Sequence, residues 1–121
     1  MARQKQKFGL WGEQTAAEYL EKLGYEIVER NARTQYGEID LITRQASTIV
    51  FVEVKTRGST EFGYPEEAIT AEKQQHMQDA AQDYLQTHPE LDGEWRVDVI
   101  SIRRLKNQAP EITHIENALS G

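Results

Sequence analysis

Residues in the first part of the chain recur at the spacing of one helix face. The members of this face are Glu13, Ala16, Ala17, Leu20 and Leu23. Their i, i+3, i+4, i+7 and i+10 spacing predicts a helix from about residue 10 to residue 23, and Gly24 follows where a helix end favours glycine. Residues 25–30 then alternate as a short strand does, and a loop is expected over residues 31–36.

Two aliphatic runs come next. Residues 38–42 read Glu-Ile-Asp-Leu-Ile, and residues 49–55 read Ile-Val-Phe-Val-Glu-Val-Lys. Both are typical of strands, and polar residues 44–48 between them form a connection of hairpin length, so the runs should pair as antiparallel neighbours. The second run is apolar at five of its first six positions, which predicts a central strand with both faces covered.

The remaining chain predicts one long loop, one helix and two strands. Residues 57–67 carry glycine and proline among polar neighbours, which is typical of a functional flap. Thr70 can cap a helix that keeps its spacing to Leu85. Strands are expected at residues 96–102 and 112–115. The pattern therefore predicts an α/β fold, and the length of 121 residues matches one domain over residues 1–121.

Composition narrows the class of protein. The chain has 14 Lys+Arg, 20 Asp+Glu, a net charge of -6 and no Cys. The absence of Cys removes disulfides and thiolate sites and fits a reducing compartment, so a cytoplasmic location is expected. No apolar run is long enough for a bilayer span, and residues 1–7 are basic and polar, so membrane insertion and secretion are not expected.

Charge is unevenly distributed between the two halves. Residues 1–57 sum to +1 and residues 58–121 to -7. Because binding to a polyanion requires Lys and Arg, nucleic acid would meet the first half. Arg33 and Arg57 in that half are candidate phosphate ligands, since arginine can form bidentate hydrogen bonds with phosphate. Lys73 and Gln74 are interpreted as ordinary helix-surface residues.

Charged residues also occupy positions that should be apolar. Glu53 and Lys55 are two apart on a strand and so share a face. If Thr43 opposes Val50, the connection is a four-residue loop and Asp40 lies opposite Glu53. A slip of one residue would place Asp40 on the other face.

This set of charges predicts a metal site. Glu13 lies on the inward stripe of the first helix, so Asp40, Glu53 and Glu13 together outnumber the single cation Lys55. Buried carboxylates without enough cations are costly, which favours a divalent ion. Oxygen ligands suit Mg²⁺, with Mn²⁺ as the alternative, and a soft metal would require Cys or clustered His. A metal beside a lysine can support phosphodiester hydrolysis.

These residues also carry a resemblance to the YraN family of bacterial proteins. It extends over nearly the whole chain, through Gly12-Glu13, Gly37-Glu38-Ile39-Asp40-Leu41-Ile42, Phe51-Val52-Glu53-Val54-Lys55-Thr56-Arg57, Lys73, Arg96-Val97-Asp98-Val99 and His114-Ile115-Glu116-Asn117-Ala118. That family is similar in turn to archaeal Holliday-junction resolvases of the restriction-endonuclease-like PD-(D/E)XK group. The proline of this motif is absent, since Ile39 precedes Asp40.

The resemblance implies a central mixed sheet flanked by helices and a magnesium-dependent endonuclease acting on branched or structured DNA. By position, Asp40 and Glu53 would bind the metal and Lys55 would be the catalytic lysine. Glu13 would be the additional acid from the helix, and the carbonyl of Val54 would also face the metal. A homodimer is implied by analogy with the resolvases.

Two other interpretations of the same residues stay open. The chain could be a nucleic-acid-binding or protein-interaction module that keeps the nuclease fold without the reaction, as the acidic second half favours. Alternatively, Lys55 simply pairs with Glu53 or Asp40 as a feature of folding, and Glu13 is a partly exposed helix residue.

Overall fold

The computed structural model describes residues 2–59 and 69–119, with side chains from residue 7 onward. Two helices and five strands follow one another along the chain. They are α1 (Ala2–Lys22), β1 (Glu26–Thr34), β2 (Gly37–Gln45), β3 (Thr48–Arg57), α2 (Ala71–Thr87), β4 (Trp95–Arg103) and β5 (Glu111–Ile115). The protein is therefore α/β, as predicted, and its single small domain is consistent with a restriction-endonuclease-like fold.

The five strands form one mixed sheet in the order β1-β2-β3-β4-β5. Strands β3 and β4 are parallel, and every other neighbouring pair is antiparallel. A parallel pair needs a long crossover, and α2 is part of the connection between β3 and β4. This mixed arrangement is the one that the resemblance implies.

Both faces of β3 are buried, as its nearly continuous apolar run predicts. Ile49 and Phe51 pack in a cluster with residues of α2, while Val50 and Val52 pack in a second cluster with residues of α1. The two helices thus cover opposite faces of the sheet. A charged side chain near the end of this buried strand therefore has limited access to water.

The hairpin has the register in which Thr43 opposes Val50, one of the two that the sequence left open, and its turn is shorter than expected. Thr43 pairs with Val50, and the Thr43 hydroxyl donates a 3.0 Å hydrogen bond to the Val50 carbonyl oxygen. The prediction of a four-residue loop was wrong, because the ladder continues to Gln45 and Thr48 and leaves two residues in the turn. Ala46 takes a φ of 54° there, as two-residue hairpin turns require.

Two predicted boundaries were wrong. Helix α1 begins at Ala2 rather than about residue 10, and Leu23 lies beyond its end with 54% of its surface exposed, so it is not on the inward stripe. The predicted loop over residues 31–36 is strand to Thr34. A β-bulge between Ile27 and Glu29 interrupts the alternation on which the sequence reading relied.

The cap of α2 was predicted correctly. The Thr70 side chain accepts a 3.1 Å hydrogen bond from the Lys73 backbone N–H, which satisfies one of the free donors of the first turn. The predicted strands at residues 96–102 and 112–115 are β4 and β5, each longer by one or two residues. Most of the predicted flap, residues 60–67, lies outside the described residues.

Helix α1 lies close against β3 at Gly12. A Cβ atom at Gly12 would collide with the Thr56 side chain, whereas a Cβ at Gly9 on the same helix would meet nothing within 4 Å. The absent side chain at residue 12 therefore allows α1 to lie directly against the end of β3.

We expect Gly12→Ala to destabilise the protein by about 1–3 kcal/mol, because overpacking against Thr56 exceeds the gain in helix propensity. Gly9→Ala is the matched control and should stabilise by about 0.5–1 kcal/mol, since it gains propensity without a clash. Urea unfolding measures both variants. Equal stability changes in the two would contradict the close contact, and Thr56→Ala should relieve the loss in Gly12→Ala.

Candidate metal and phosphate site

Charged residues from β2, β3 and α2 line one cavity of about 370 Å³ on the side of the sheet that α2 covers. The charged side chains in its wall are Glu38, Asp40, Glu53, Glu72 and Lys73. Asp40 and Glu53, which are 13 positions apart in the sequence, therefore face the same space. The hairpin of β2 and β3 provides both carboxylates, and the crossover helix provides the lysine opposite them.

Asp40 enters the site where the ladder between β2 and β3 ends. The strand pairing between β2 and β3 ends with Leu41 opposite Val52. Beyond this pair, the Asp40 Oδ2 atom accepts a 2.8 Å hydrogen bond from the Val54 backbone N–H. Ile39 packs in the cluster that contains α2, whereas Leu41 packs in the cluster that contains α1. Residues two apart normally share a face, so the alternation of β2 breaks at Asp40.

Glu53 is held by two lysines. Its Oε1 atom lies 3.0 Å from the Nζ atom of Lys73 and 3.4 Å from the Nζ atom of Lys55. Lys55 shares the strand with Glu53 as predicted, and Lys73 comes from the first turn of α2. The carboxylate is 22% exposed, so these contacts are only partly screened by water.

Glu13 is connected to Glu38, in the wall of the cavity, through the side chain of Asn31. The Asn31 Nδ2 atom donates hydrogen bonds of 2.9 Å to Glu13 Oε1 and 3.0 Å to Glu38 Oε1. Asn31 has a left-handed φ of 51°, which asparagine tolerates better than most residues. The amide thus links the acid of α1 to the acid at the start of β2.

The pKa of Asp40 is raised by its buried, negatively charged surroundings. Burial, together with the nearby charges of Glu13, Glu53 and Glu38, raises the pKa of Asp40 to about 6, against the hydrogen bond from Val54, which lowers it. A buried carboxylate among like charges favours its protonated form. A cation bound here would relieve that penalty.

The pKa of Lys55 is lowered, whereas that of Asp40 is raised. Burial lowers its pKa, and the neighbouring Lys73 ammonium lowers it further, while Glu53 opposes the change. The Lys73 ammonium shares the Glu53 carboxylate with Lys55 and so weakens the hold of Lys55 on its proton. Lys55 is therefore better able than an exposed lysine to exchange a proton.

The two predicted phosphate-binding arginines lie apart from each other. Arg33 is exposed on the edge strand β1 and pairs in register with Glu38. Arg57 ends β3, two residues beyond Lys55, and its carbonyl oxygen accepts a 2.8 Å hydrogen bond from the Arg104 backbone N–H. Arg57 thus adjoins the lysine end of the site, while Arg33 adjoins the end near Glu38.

Sequence reasoning missed three members of the site. Lys73 was interpreted as a surface residue, although it makes the shortest ion pair with Glu53. Glu38 and Asn31 were not considered as site residues. The available signal for Lys73 was its position one turn after the Thr70 cap, since a first-turn residue on a crossover helix faces the ends of the strands that the helix connects.

A second group of possible ligands lies around Asp98 on β4. Asp98, His114 and Glu116 each offer one ligand atom, and these atoms lie within 4.8 Å of one another. Asp98 is fully buried. It accepts hydrogen bonds from Arg96 Nε at 3.0 Å and from the Asn117 backbone N–H at 2.9 Å, and the His114 Nε2 atom lies 2.8 Å away. Its pKa is lowered, because the bonds from His114 and Arg96 outweigh burial.

The donor chemistry distinguishes the two groups. Asp40 and Glu53 offer oxygen atoms only, in a cavity with surplus negative charge, and this set fits a hard cation such as Mg²⁺. The Asp98 group includes an imidazole, and its buried carboxylate already has an arginine, a histidine and a backbone amide as partners. The first group therefore fits the predicted ion better, and the second is satisfied as a structural network.

Across residues 2–59 and 69–119, no helix has the length and apolarity needed to cross a membrane.

Comparisons with known proteins find one family. The profile of the family described as "Uncharacterised protein family UPF0102" matches residues 12–102. The UPF0102 protein of Syntrophomonas wolfei is 50% identical over 112 residues, covering 93% of this chain and 96% of that protein. The UPF0102 protein of Caldicellulosiruptor saccharolyticus is 45% identical over 115 residues, covering 94% and 98%.

One solved structure is more distantly similar. The structure of Pyrococcus furiosus SfsA in complex with Ca²⁺ aligns with a TM-score of 0.38 and 15% identity, covering 95% of this chain and 63% of the SfsA chain. A likeness this distant carries no argument about function.

We expect Asp40→Asn to become more stable relative to the wild type as pH rises from 3.8 to about 6. The difference between their free energies of unfolding should therefore widen over this interval. Below that interval Asp40 is protonated in both the folded and the unfolded chain. Within it the folded chain keeps a proton that the unfolded chain has lost, so stability of the wild type falls with rising pH, and above it the penalty is complete. The isosteric amide carries no charge at any pH.

Urea unfolding in EDTA across this interval measures the gap. Asp92→Asn, at an exposed position in the connection between α2 and β4, is the control for removing a charge. A gap that is constant with pH, or that narrows as pH rises, would contradict the raised pKa of Asp40.

Proposed function

The chain belongs to the protein family UPF0102, and we propose that it is a metal-dependent endonuclease that hydrolyses phosphodiester bonds of branched or structured DNA. The observation that carries this proposal is the shared cavity of Asp40, Glu53 and Lys73, with Lys55 contacting Glu53. Residues 1–121 would act as one endonuclease-like domain in the cytoplasm. A homodimer is the assembly that would act on a symmetric junction.

In this proposal the carboxylates of Asp40 and Glu53 hold Mg²⁺, or Mn²⁺ in its place. The ion would polarise a phosphoryl oxygen and activate a water molecule. The bond from Val54 fixes the Asp40 carboxylate, so one of its oxygens is already oriented and the other remains for the ion. Glu13 lies within electrostatic range of Asp40 and adds to the negative potential that attracts a cation.

Lys55 would contact the reacting phosphate. An ammonium beside the scissile group stabilises the negative charge that develops on the phosphoryl oxygens. Water adds to phosphorus, the bond from phosphorus to one sugar oxygen breaks, and that oxygen takes up a proton. The lowered pKa of Lys55 makes it a suitable group to orient the water or to supply that proton.

Lys73 is proposed as a positioning residue. Its 3.0 Å contact holds Glu53 and restricts the rotation of that carboxylate. Arg57 and Arg33 would bind phosphates on either side of the cavity. Such contacts fix the path of the backbone without reading its sequence.

Purified protein incubated with four-way junctions, flaps and linear duplexes in Mg²⁺ or Mn²⁺ tests the proposed reaction. We expect cleavage of the branched substrates, reduced by roughly 100-fold or more in Asp40→Asn, Glu53→Gln and Lys55→Met, because each removes charge at the reacting group. Glu21→Gln, an exposed change on α1, is the control and should retain full activity. Absence of metal-dependent cleavage in the wild type would overturn the proposal.

Calorimetry with Mn²⁺ alone identifies which group binds metal. We expect Glu53→Gln to weaken binding by at least tenfold, since it removes a charged oxygen ligand. Glu116→Gln, which changes the Asp98 group, should leave the affinity unchanged. Weaker binding in Glu116→Gln with unchanged affinity in Glu53→Gln would place the metal at the Asp98 group and contradict the assignment of Asp40 and Glu53.

The second candidate function is a binding module without catalysis. The contacts of Glu53 with Lys55 and Lys73 favour it, because they neutralise this carboxylate without an ion. Such a module would bind branched DNA equally well in EDTA and would show no dependence on Glu53.

A further inference from the structure

Two aromatic rings of α1 stack on each other near the end of β3. The rings of Phe8 and Trp11 are parallel within 4°, with centroids 5.8 Å apart. This separation exceeds the roughly 3.5–4 Å of direct contact between carbon atoms, so the rings are offset rather than fully superposed. Both side chains are half-buried.

An arginine adjoins the two rings. The Arg104 guanidinium carbon lies 5.9 Å from the Phe8 centroid and 5.5 Å from the Trp11 centroid, and the residue is exposed. The three groups therefore form a nearly equilateral triangle of π-faces and one cation. We call Phe8, Trp11 and Arg104 the stacking platform.

The stacking platform lies on the α1 side of the sheet, on the face opposite the cavity, at the end of β3 that follows Lys55. Trp11 packs against the apolar cluster beneath α1, and the next residue, Gly12, lies against Thr56 of β3. The Arg104 backbone N–H donates to the carbonyl of Arg57. Both parts of the platform thus adjoin residues 56 and 57, which directly follow Lys55.

The charge around the platform is opposite to that of the whole protein. Residues 103–106 read Arg-Arg-Leu-Lys within a second half that sums to -7, and Lys7 is exposed one residue before Phe8. Aromatic faces with arginine in a basic setting are the combination that binds single-stranded nucleic acid.

We propose that the stacking platform binds an unpaired base of the strand whose phosphate enters the Asp40–Glu53–Lys55 site. This inference rests on the proposed nuclease function and makes it more specific: the substrate is nucleic acid with a single-stranded segment next to the scissile phosphate. A base in a continuous duplex keeps its own stacking partners and cannot offer a face to Trp11. The arginine would contact the phosphate beside the stacked base.

The chain offers an internal reporter for this contact. Its two tryptophans are Trp11 and Trp95, and Trp95 packs edge-on against Phe51 in the cluster on the α2 side of the sheet. In a Trp95→Phe variant all tryptophan fluorescence comes from the platform. Asp40→Asn is added, with EDTA, so that binding is measured without cleavage.

Titration with a short oligothymidylate should quench this fluorescence, whereas a blunt hairpin duplex of equal nucleotide count should not. We expect Phe8→Ala and Arg104→Gln to weaken oligothymidylate binding roughly 5- to 100-fold, as loss of one stacked base does. Arg104→Lys keeps the charge without the planar group and should lie between wild type and Arg104→Gln. Arg44 is a partly exposed arginine of β2 that pairs with Glu26 and lies opposite Ile49, near the start of β3, so Arg44→Gln should change binding less than twofold.

The platform would be overturned by equal quenching by the duplex, by oligonucleotide binding in anisotropy without any change in Trp11 fluorescence, or by wild-type affinity in both Phe8→Ala and Arg104→Gln. Absence of binding would also overturn it. The proposed reaction fails separately, by absence of cleavage in a protein whose Trp11 fluorescence is still quenched. Conversely, normal cleavage of flaps by Phe8→Ala would reject the platform and retain the nuclease.

Discussion

The hydrogen bond from the Val54 amide to the Asp40 carboxylate occurs where the β2–β3 ladder ends, and the charged groups of the cavity are arranged around it. A backbone N–H that would otherwise require a strand partner is satisfied by a side chain. That contact brings a carboxylate into a buried position beside Glu53. The rise of the Asp40 pKa to about 6 reflects the electrostatic cost of this arrangement.

The two helices have different parts in maintaining the site. Helix α2 contributes Lys73, whose ammonium offsets the charge of Glu53 from the far side of the cavity. Helix α1 covers the opposite face, and the contact of Gly12 with Thr56 sets how closely it approaches β3. The same helix therefore contributes Glu13 near Asp40 and the Phe8–Trp11 pair near the end of β3.

Two polar groups on one small sheet have opposite electrostatic character. Around Asp98, an arginine, a histidine and a backbone amide stabilise the charged carboxylate, so its pKa is lowered. Around Asp40, other carboxylates and burial raise the pKa. A satisfied buried acid contributes to stability, whereas an acid that is costly to ionise is typical of a functional site.

Local patterns in the sequence were enough to predict the α/β class, the cap at Thr70, the central position of β3 and the antiparallel pairing of β2 with β3. These features depend on periodicity and on residues close in the chain, which a single sequence displays directly. The role of Lys73, the break of alternation at Asp40 and the grouping of Asp98 with His114 were decided by the tertiary structure. Each depends on how layers pack across the sheet, and side chains far apart in the chain carry no local signal of that contact.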